Sequence, residues 1–252
     1  MTYPKILPVL TPTVVVGTDL ETLALRPDAY ILTLANVAFD VPTMKMIGSC
    51  YHKIDPNDAK AKEIFYIDPQ TVGYWEGKGD PEYAPSEKAR IEAFSGTTPL
   101  PEALWAAKKW LDDLGNVKMV ITMRGPDFDA PILMNAFAQC DIPPGKYRKF
   151  SILDSDRTAE RIAYAFGLEP NWHAEAHHWT RGKEAYEHNA NFDAAKEAYS
   201  TARIYHLALV ARTYGFERML EATAKCAQVN TFHRSCEENN ERRRRSGYLY
   251  RW

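Results

Sequence analysis

The chain has 252 residues, enough for one full α/β core, and its 31 basic and 33 acidic side chains leave a formal net charge of −2. That balance excludes capture of a polyanion by bulk charge, so any nucleic-acid contact has to come from a local patch. Cys50, Cys140, Cys226 and Cys236 form no CxxC pair, no signal-peptide pattern is present, and no apolar run approaches the roughly 20 residues a membrane span needs, so the expectation is a soluble cytoplasmic protein (host cytoplasm if phage-encoded).

In chain order, Thr13 to Val16 is β-branched and apolar and predicts a buried strand running through Gly17-Thr18 into Asp19. Tyr30 to Val41 predicts a second strand, Met44 to Lys53 a third and Glu63 to Ile67 a fourth, an opening meander. Thr71 to Trp75 predicts a short helix or turn, followed by a polar stretch to Pro85. Glu102 to Leu114 keeps Leu104, Trp105, Lys108 and Leu111 at helical spacing, with Pro101 suited to the first turn. Asn116 to Met123 is a β-type run, Ile132 to Ala138 an apolar helix, Phe150 to Leu153 a short strand and Arg157 to Phe166 a helix stopped by Gly167. Pro170 to Glu187, rich in His, Trp and Gly, predicts loop or broken helix. Helices follow from about Asn191 to Arg212 and from Phe216 to Gln228, broken at Gly215. Strands first, then alternation, then helices, without an internal repeat, argue for one three-layer α/β domain with a mixed sheet over residues 10–228 and a C-terminal tail over 229–252.

Three fragments carry chemistry. Residues two apart on a strand face the same way, so Asp19 and Glu21 project together as a hard-oxygen platform suited to Mg²⁺ or Mn²⁺. Spaced acids are commonly just solvated, but a charged pair directly after a buried run is costly without compensation. Asp129 falls at a strand-to-helix junction, where a catalytic carboxylate and an N-cap are both at home; Asp127 competes for either role. His188 and Asp193 are five residues apart, roughly 140° around a helix at about 100° per residue, so they cannot share a face within one. If both serve one site, His188 lies in the loop before the helix and Asp193 in its early turns, an arrangement that Asn191 as N-cap allows. A histidine there can act as general base.

The order D-x-E (Asp19, Glu21), then F-D (Phe128-Asp129), then H-x-A-x-x-D (His188, Ala190, Asp193) resembles the DEDDh 3′-to-5′ exonucleases of the ribonuclease H-like fold. Within that superfamily Arg124 to Leu133 looks like the phage exonuclease A branch, related to a group of bacterial exoribonucleases, as do Thr71 to Trp75 and Arg157-Thr158. The resemblance spans about Val14 to Val210. It departs from the commoner second motif, which has Asn four residues before its Asp, where this chain has Gly125.

The resemblance implies a three-layer fold with a central mixed five-stranded sheet. It also implies two Mg²⁺ or Mn²⁺ ions, one held by Asp19, Glu21 and Asp193, the other bridged by Asp19 and supported by Asp129. His188 would take a proton from the attacking water, and Leu20, Thr22, Trp75, Arg124, Phe128 and Arg157 would contact substrate. The function expected is 3′-to-5′ hydrolysis of nucleic acid to nucleoside 5′-monophosphates, on DNA first, with RNA or short oligonucleotides as the alternative. A non-catalytic nucleic-acid-binding protein is the alternative from another class, disfavoured because all five positions are filled. Whether the chain is a monomer or a homodimer stays open; no membrane partner is expected.

Other features are weaker. His173-Ala174-Glu175-Ala176-His177 has i, i+4 histidines, but Glu175 is misplaced for HExxH. His233 with Cys226 and Cys236 lacks a fourth zinc ligand. Tyr74 and Trp75 can stack on a terminal base or pack in the core. The Arg242 to Trp252 tail combines basic and aromatic residues and reads equally as a backbone contact or a solubilising tail.

Overall fold

A computed structural model describes residues 12–78, 84–148, 153–155, 158, 161–162, 164 and 188–221. Three strands open the chain: β1 (Val14–Thr22), β2 (Ile31–Asp40) and β3 (Lys45–Lys53). Short helices α1 (Ala59–Ile64), α2 (Pro69–Trp75) and α3 (Glu87–Ala93) follow. Next come α4 (Leu100–Asp113), β4 (Met119–Met123), α5 (Asp129–Gln139), a 3₁₀ turn (Gly145–Arg148), β5 (Leu153–Ser155) and the long α6 (Ala190–Tyr214). The five strands form one mixed sheet in the order β3-β2-β1-β4-β5. β1, β2 and β3 pair antiparallel, while β4 runs parallel to β1 and β5 parallel to β4. This is the ribonuclease H-like arrangement that the motif order implies.

The β1 strand runs on past Gly17-Thr18 to Thr22, and its alternation decides what each face sees. Val14, Val16 and Leu20 point into a core shared with Leu32, Leu34, Leu104, Leu111, Leu133 and Phe137. Val15 points the other way, into a smaller cluster with Val37, Phe39 and the alanines Ala190, Ala194, Ala198 and Ala202 of α6. Gly17 belongs to this second face. A Cβ there would overlap the carbonyl oxygen of Ala194 and crowd the amide of Ala198, so glycine is what lets α6 lie directly on β1.

One expected strand does not form, because α1 ends inside it at Ile64. Residues from Glu63 to Ile67 were to extend the meander, but Asp58 accepts hydrogen bonds from the amides of Lys60 and Ala61 and starts α1 over an Ala-Lys-Ala-Lys-Glu run of strong helix formers. Only Tyr66 keeps a strand-like contact, a bridge to Ala29. α3, capped by the Ser86 hydroxyl, follows directly on the polar stretch that ends at Pro85. The helix expected from Arg157 to Phe166 lies largely outside the described residues, as do the segment 170–187, the end of the helix from Phe216 beyond 221 and the tail 229–252. Among the described residues no helix is long and apolar enough to cross a membrane.

Candidate active site

The acids of β1 occupy the face that α6 covers. Asp19 and Glu21 share the side of Gly17, and both are half-buried at the end of the strand, where the β1–β2 register shifts between Glu21 and Thr22. From α6, Asp193 reaches the same place: one carboxylate oxygen from each of Asp19, Glu21 and Asp193 lies within 4.8 Å of the others. Burial, then the charge of Glu197, then those of Glu21, Asp193 and Asp129, push the Asp19 carboxyl well above its ordinary range. Burial, then Asp193 and Asp129, do the same to Glu21. The set is all oxygen and all acidic, with negative charge that the protein only partly offsets. That donor chemistry fits a hard divalent cation such as Mg²⁺ or Mn²⁺.

Asp129 is 5% exposed and stands at the first position of α5, where the chain leaves β4. The residue capping that helix is Phe128, which offers no side-chain cap bond, so Asp129 is not spent on the N-cap role. Burial lifts its carboxyl to about 7, against the lowering effect of the Gly125 and Asp129 backbone hydrogen bonds and with a further push from Asp127. Asp129 lies outside the tight trio but close enough to raise both Asp19 and Glu21. Asp127 is exposed, which separates the two acids that the sequence leaves in competition.

His188 immediately precedes the N-cap of α6, in the left-handed backbone region at φ 63°. The angular argument thus holds: the histidine is in the turn, and Asp193 is in the first turn of the helix. The cap itself is Asn189, not Asn191. The Asn189 side chain accepts the Phe192 amide at 3.0 Å, which starts α6 two residues earlier than an Asn191 cap would. Asp193 Oδ2 accepts the backbone N–H of His188 at 3.1 Å, so one carboxylate both faces the acids and fixes the turn bearing the histidine.

Two contributions go beyond the sequence reading, which offers Tyr74 only as a stacking or core residue and leaves Glu197 out. The Tyr74 hydroxyl lies 2.9 Å from His188 Nε2, with the rings edge to face at 5.7 Å between centroids. Glu197 is fully buried one turn along α6 from Asp193, and after burial its charge is the largest influence on Asp19. The i, i+4 spacing of Asp193 and Glu197 was a usable signal for the second; nothing local links Tyr74 to His188 across more than a hundred residues.

Several expected substrate contacts are turned elsewhere. Leu20 packs in the larger core, and the Thr22 hydroxyl donates to the Ala24 carbonyl at 2.8 Å. The Trp75 indole is 3% exposed and donates Nε1–H to the Thr22 carbonyl at 3.0 Å, so it clamps α2 to the end of β1 instead of presenting a face to a base. Arg124 is exposed beyond β4, and Phe128 is half-buried against the core. Arg157, His173, His177 and His178, Cys226, His233 and Cys236 lie outside the described residues.

Comparison with known proteins follows the same line. The sequence profile of a family described as the Rv2179c-like 3′-5′ exoribonuclease domain matches residues 15–209. No curated protein matches. Among solved structures, cell-death related nuclease 4 (CRN-4) is similar at 14% identity and a TM-score of 0.49, over 77% of this chain and 64% of that one, so the chain spans under two thirds of that relative. The nuclease domain of 3′hExo, a DEDDh family member bound to rAMP, is similar at 10% identity and a TM-score of 0.46, over 81% of this chain and 94% of that one. Exonuclease I of E. coli in complex with a dT13 oligonucleotide is similar at 18% identity and a TM-score of 0.47, over 83% and 43%.

Proposed function

The chain belongs to the Rv2179c-like 3′-5′ exoribonuclease domain family, and from that premise we propose that it removes nucleotides from the 3′ end of RNA, releasing nucleoside 5′-monophosphates. The observation that carries this reading is the trio Asp19, Glu21 and Asp193, its oxygens within 4.8 Å, with His188 on the turn that Asp193 holds. RNA takes the place of the DNA expected from the sequence because the family is one of exoribonuclease domains, and DNA is the alternative.

Asp19, Glu21 and Asp193 would hold one divalent cation, and Asp19 with Asp129 a second. Bound cations supply charge neutralisation at the phosphate and Lewis-acid activation of water. The chain's own groups do the rest. The rigid strand end and the first turn of α6 fix the carboxylates before substrate arrives, so little reorganisation accompanies the reaction. His188 accepts the proton of the attacking water as the water oxygen bonds to phosphorus, the bond from phosphorus to the 3′-oxygen breaks, that oxygen takes a proton from solvent to become the new 3′-hydroxyl, and the phosphate leaves on the released nucleotide as a 5′-monophosphate. Glu197 adds negative charge beside Asp19 and strengthens its hold on cations.

Matched 5′-labelled single- and double-stranded RNA and DNA, incubated with Mn²⁺ or Mg²⁺, test the reading. A ladder shortening from the 3′ end, faster on RNA, is the expected result. A DNA preference transfers the activity to DNA; digestion of only the shortest oligomers points to a small-oligonucleotide phosphodiesterase; no ladder on any substrate supports a binding protein without turnover.

A further inference from the structure

The acidic cluster contains a cation of its own. Lys196 follows Asp193 by three residues on α6, so the two side chains lie on one face of the helix. Its Nζ is 2.7 Å from Asp193 Oδ1, its side chain is 6% exposed, and that of Asp193 is 15% exposed. The ammonium also lies 5.7 Å from the centroid of the Phe192 ring. Lysine is among the residues least often buried, and a buried ammonium is costly unless it is paired. Here the partner is one of the three carboxylates suited to a divalent cation. Since Asp193 Oδ2 accepts the His188 amide, both of its oxygens are engaged by the protein itself.

We propose that Lys196 is a resident counter-ion of the acidic cluster, competing with divalent cations for Asp193 and thereby setting the metal concentration at which the site loads. The inference rests on the metal-centre reading given above. Asp19, Glu21, Asp129, Asp193 and Glu197 bring like charges together, and the Lys196 ammonium pairs with one of them, Asp193. A divalent cation on Asp193 would sit near that ammonium in surroundings where screening is weak, so the two cations repel. Loading therefore requires Lys196 to give up the contact, and its flexible four-carbon stem permits the swing. An i, i+3 pair on an open helix surface would contribute little; the burial of both partners is what makes this one consequential.

The test is Mn²⁺ binding by calorimetry on the full chain, with thermal unfolding in EDTA and in Mn²⁺ as a second readout. Lys196→Met, and Lys196→Gln in case the first does not fold, should bind Mn²⁺ about tenfold more tightly than the unmodified chain. Both should melt lower in EDTA and gain more from Mn²⁺. Lys196→Arg, which keeps the charge, should stay near the unmodified affinity. Unchanged or weaker binding in the neutral variants overturns the proposal, as does equal tightening in Lys196→Arg, because charge would then not be the cause. If the unmodified chain binds no Mn²⁺ at all, the metal-centre reading fails first and the inference with it; binding that is present but indifferent to Lys196 sinks the inference alone.

Discussion

The two faces of the sheet are covered by opposite means. On one, large side chains from α4 and α5 (Leu104, Leu111, Leu133, Phe137) share a core with Val16, Leu32 and Leu34. On the other, Gly17 meets the α6 backbone at Ala194 and Ala198, with alanines on either side. The first face gains stability from apolar area. The second gives some of that area up for close approach, and close approach is what brings Asp193 and Glu197 of α6 to Asp19 and Glu21 of β1. Among the described residues the same face therefore carries the thinner packing and most of the buried charge, with Lys196, Glu197 and Arg203 of α6 against Asp129 of α5.

Substitutions on each face sharpen the contrast. Leu104→Ala, in the thick core, should cost about 2–5 kcal/mol of unfolding free energy and leave Mn²⁺ affinity unchanged. Gly17→Ala should cost about 3 kcal/mol through overpacking and, by pushing α6 off β1, should also weaken Mn²⁺ binding. Urea titration with parallel calorimetry checks both; equal effects of the two on metal affinity would remove the distinction between the faces.

Within the site, Asp129→Ala should abolish RNA cleavage while Asp127→Ala leaves most of it, as buried and exposed positions demand. Equal loss in both would undo the assignment. His188→Ala should lower the cleavage rate by about 10²- to 10⁴-fold and spare Mn²⁺ binding, the outcome expected on the proposed division in which the histidine moves a proton and the acids hold the metal.

The charge on this face also predicts a pH dependence. Asp19, Glu21 and Asp129 are raised in the folded chain, so their contribution to metal-free stability is complete below the ordinary carboxylate range. That contribution is lost as pH rises through the folded values, about 7 for Asp129. In EDTA the melting temperature should fall between about pH 4 and pH 7, and Asp129→Asn should flatten the fall. Mn²⁺ should stabilise more at pH 8 than at pH 5.5, because binding then displaces fewer protons. The smallest effect is expected from Tyr74→Phe. Losing one hydrogen bond to His188 Nε2 should change turnover by no more than about tenfold and leave Mn²⁺ affinity intact.

Strand periodicity and cap chemistry made much of this legible. The β1 alternation paired Asp19 with Glu21, and the angle between His188 and Asp193 placed the histidine before α6. Legibility ended where a local pattern supports two states. Residues 63–67 alternate enough for a strand, yet Asp58 commits what precedes them to a helix. Asn189 and Asn191 are both good caps by residue type, and it is the Asn189 side chain that takes the Phe192 amide. Trp75 was equally readable as platform or core, and its tie to the Thr22 carbonyl is a long-range contact that no window of sequence contains. No local pattern marks Lys196, because a lysine in a helix ordinarily faces solvent.

The central claim is that Asp19, Glu21, Asp129, Asp193 and His188 form one hydrolytic centre acting at an RNA 3′ end. Mass analysis of nucleotides released from single-stranded RNA in ¹⁸O-labelled water with Mn²⁺ tests it most directly, with Asp19→Asn as control. The account predicts nucleoside 5′-monophosphates carrying ¹⁸O on the phosphate, appearing from the 3′ end and absent with Asp19→Asn or EDTA. Release of 3′-phosphates, or of the same products from Asp19→Asn, would contradict it.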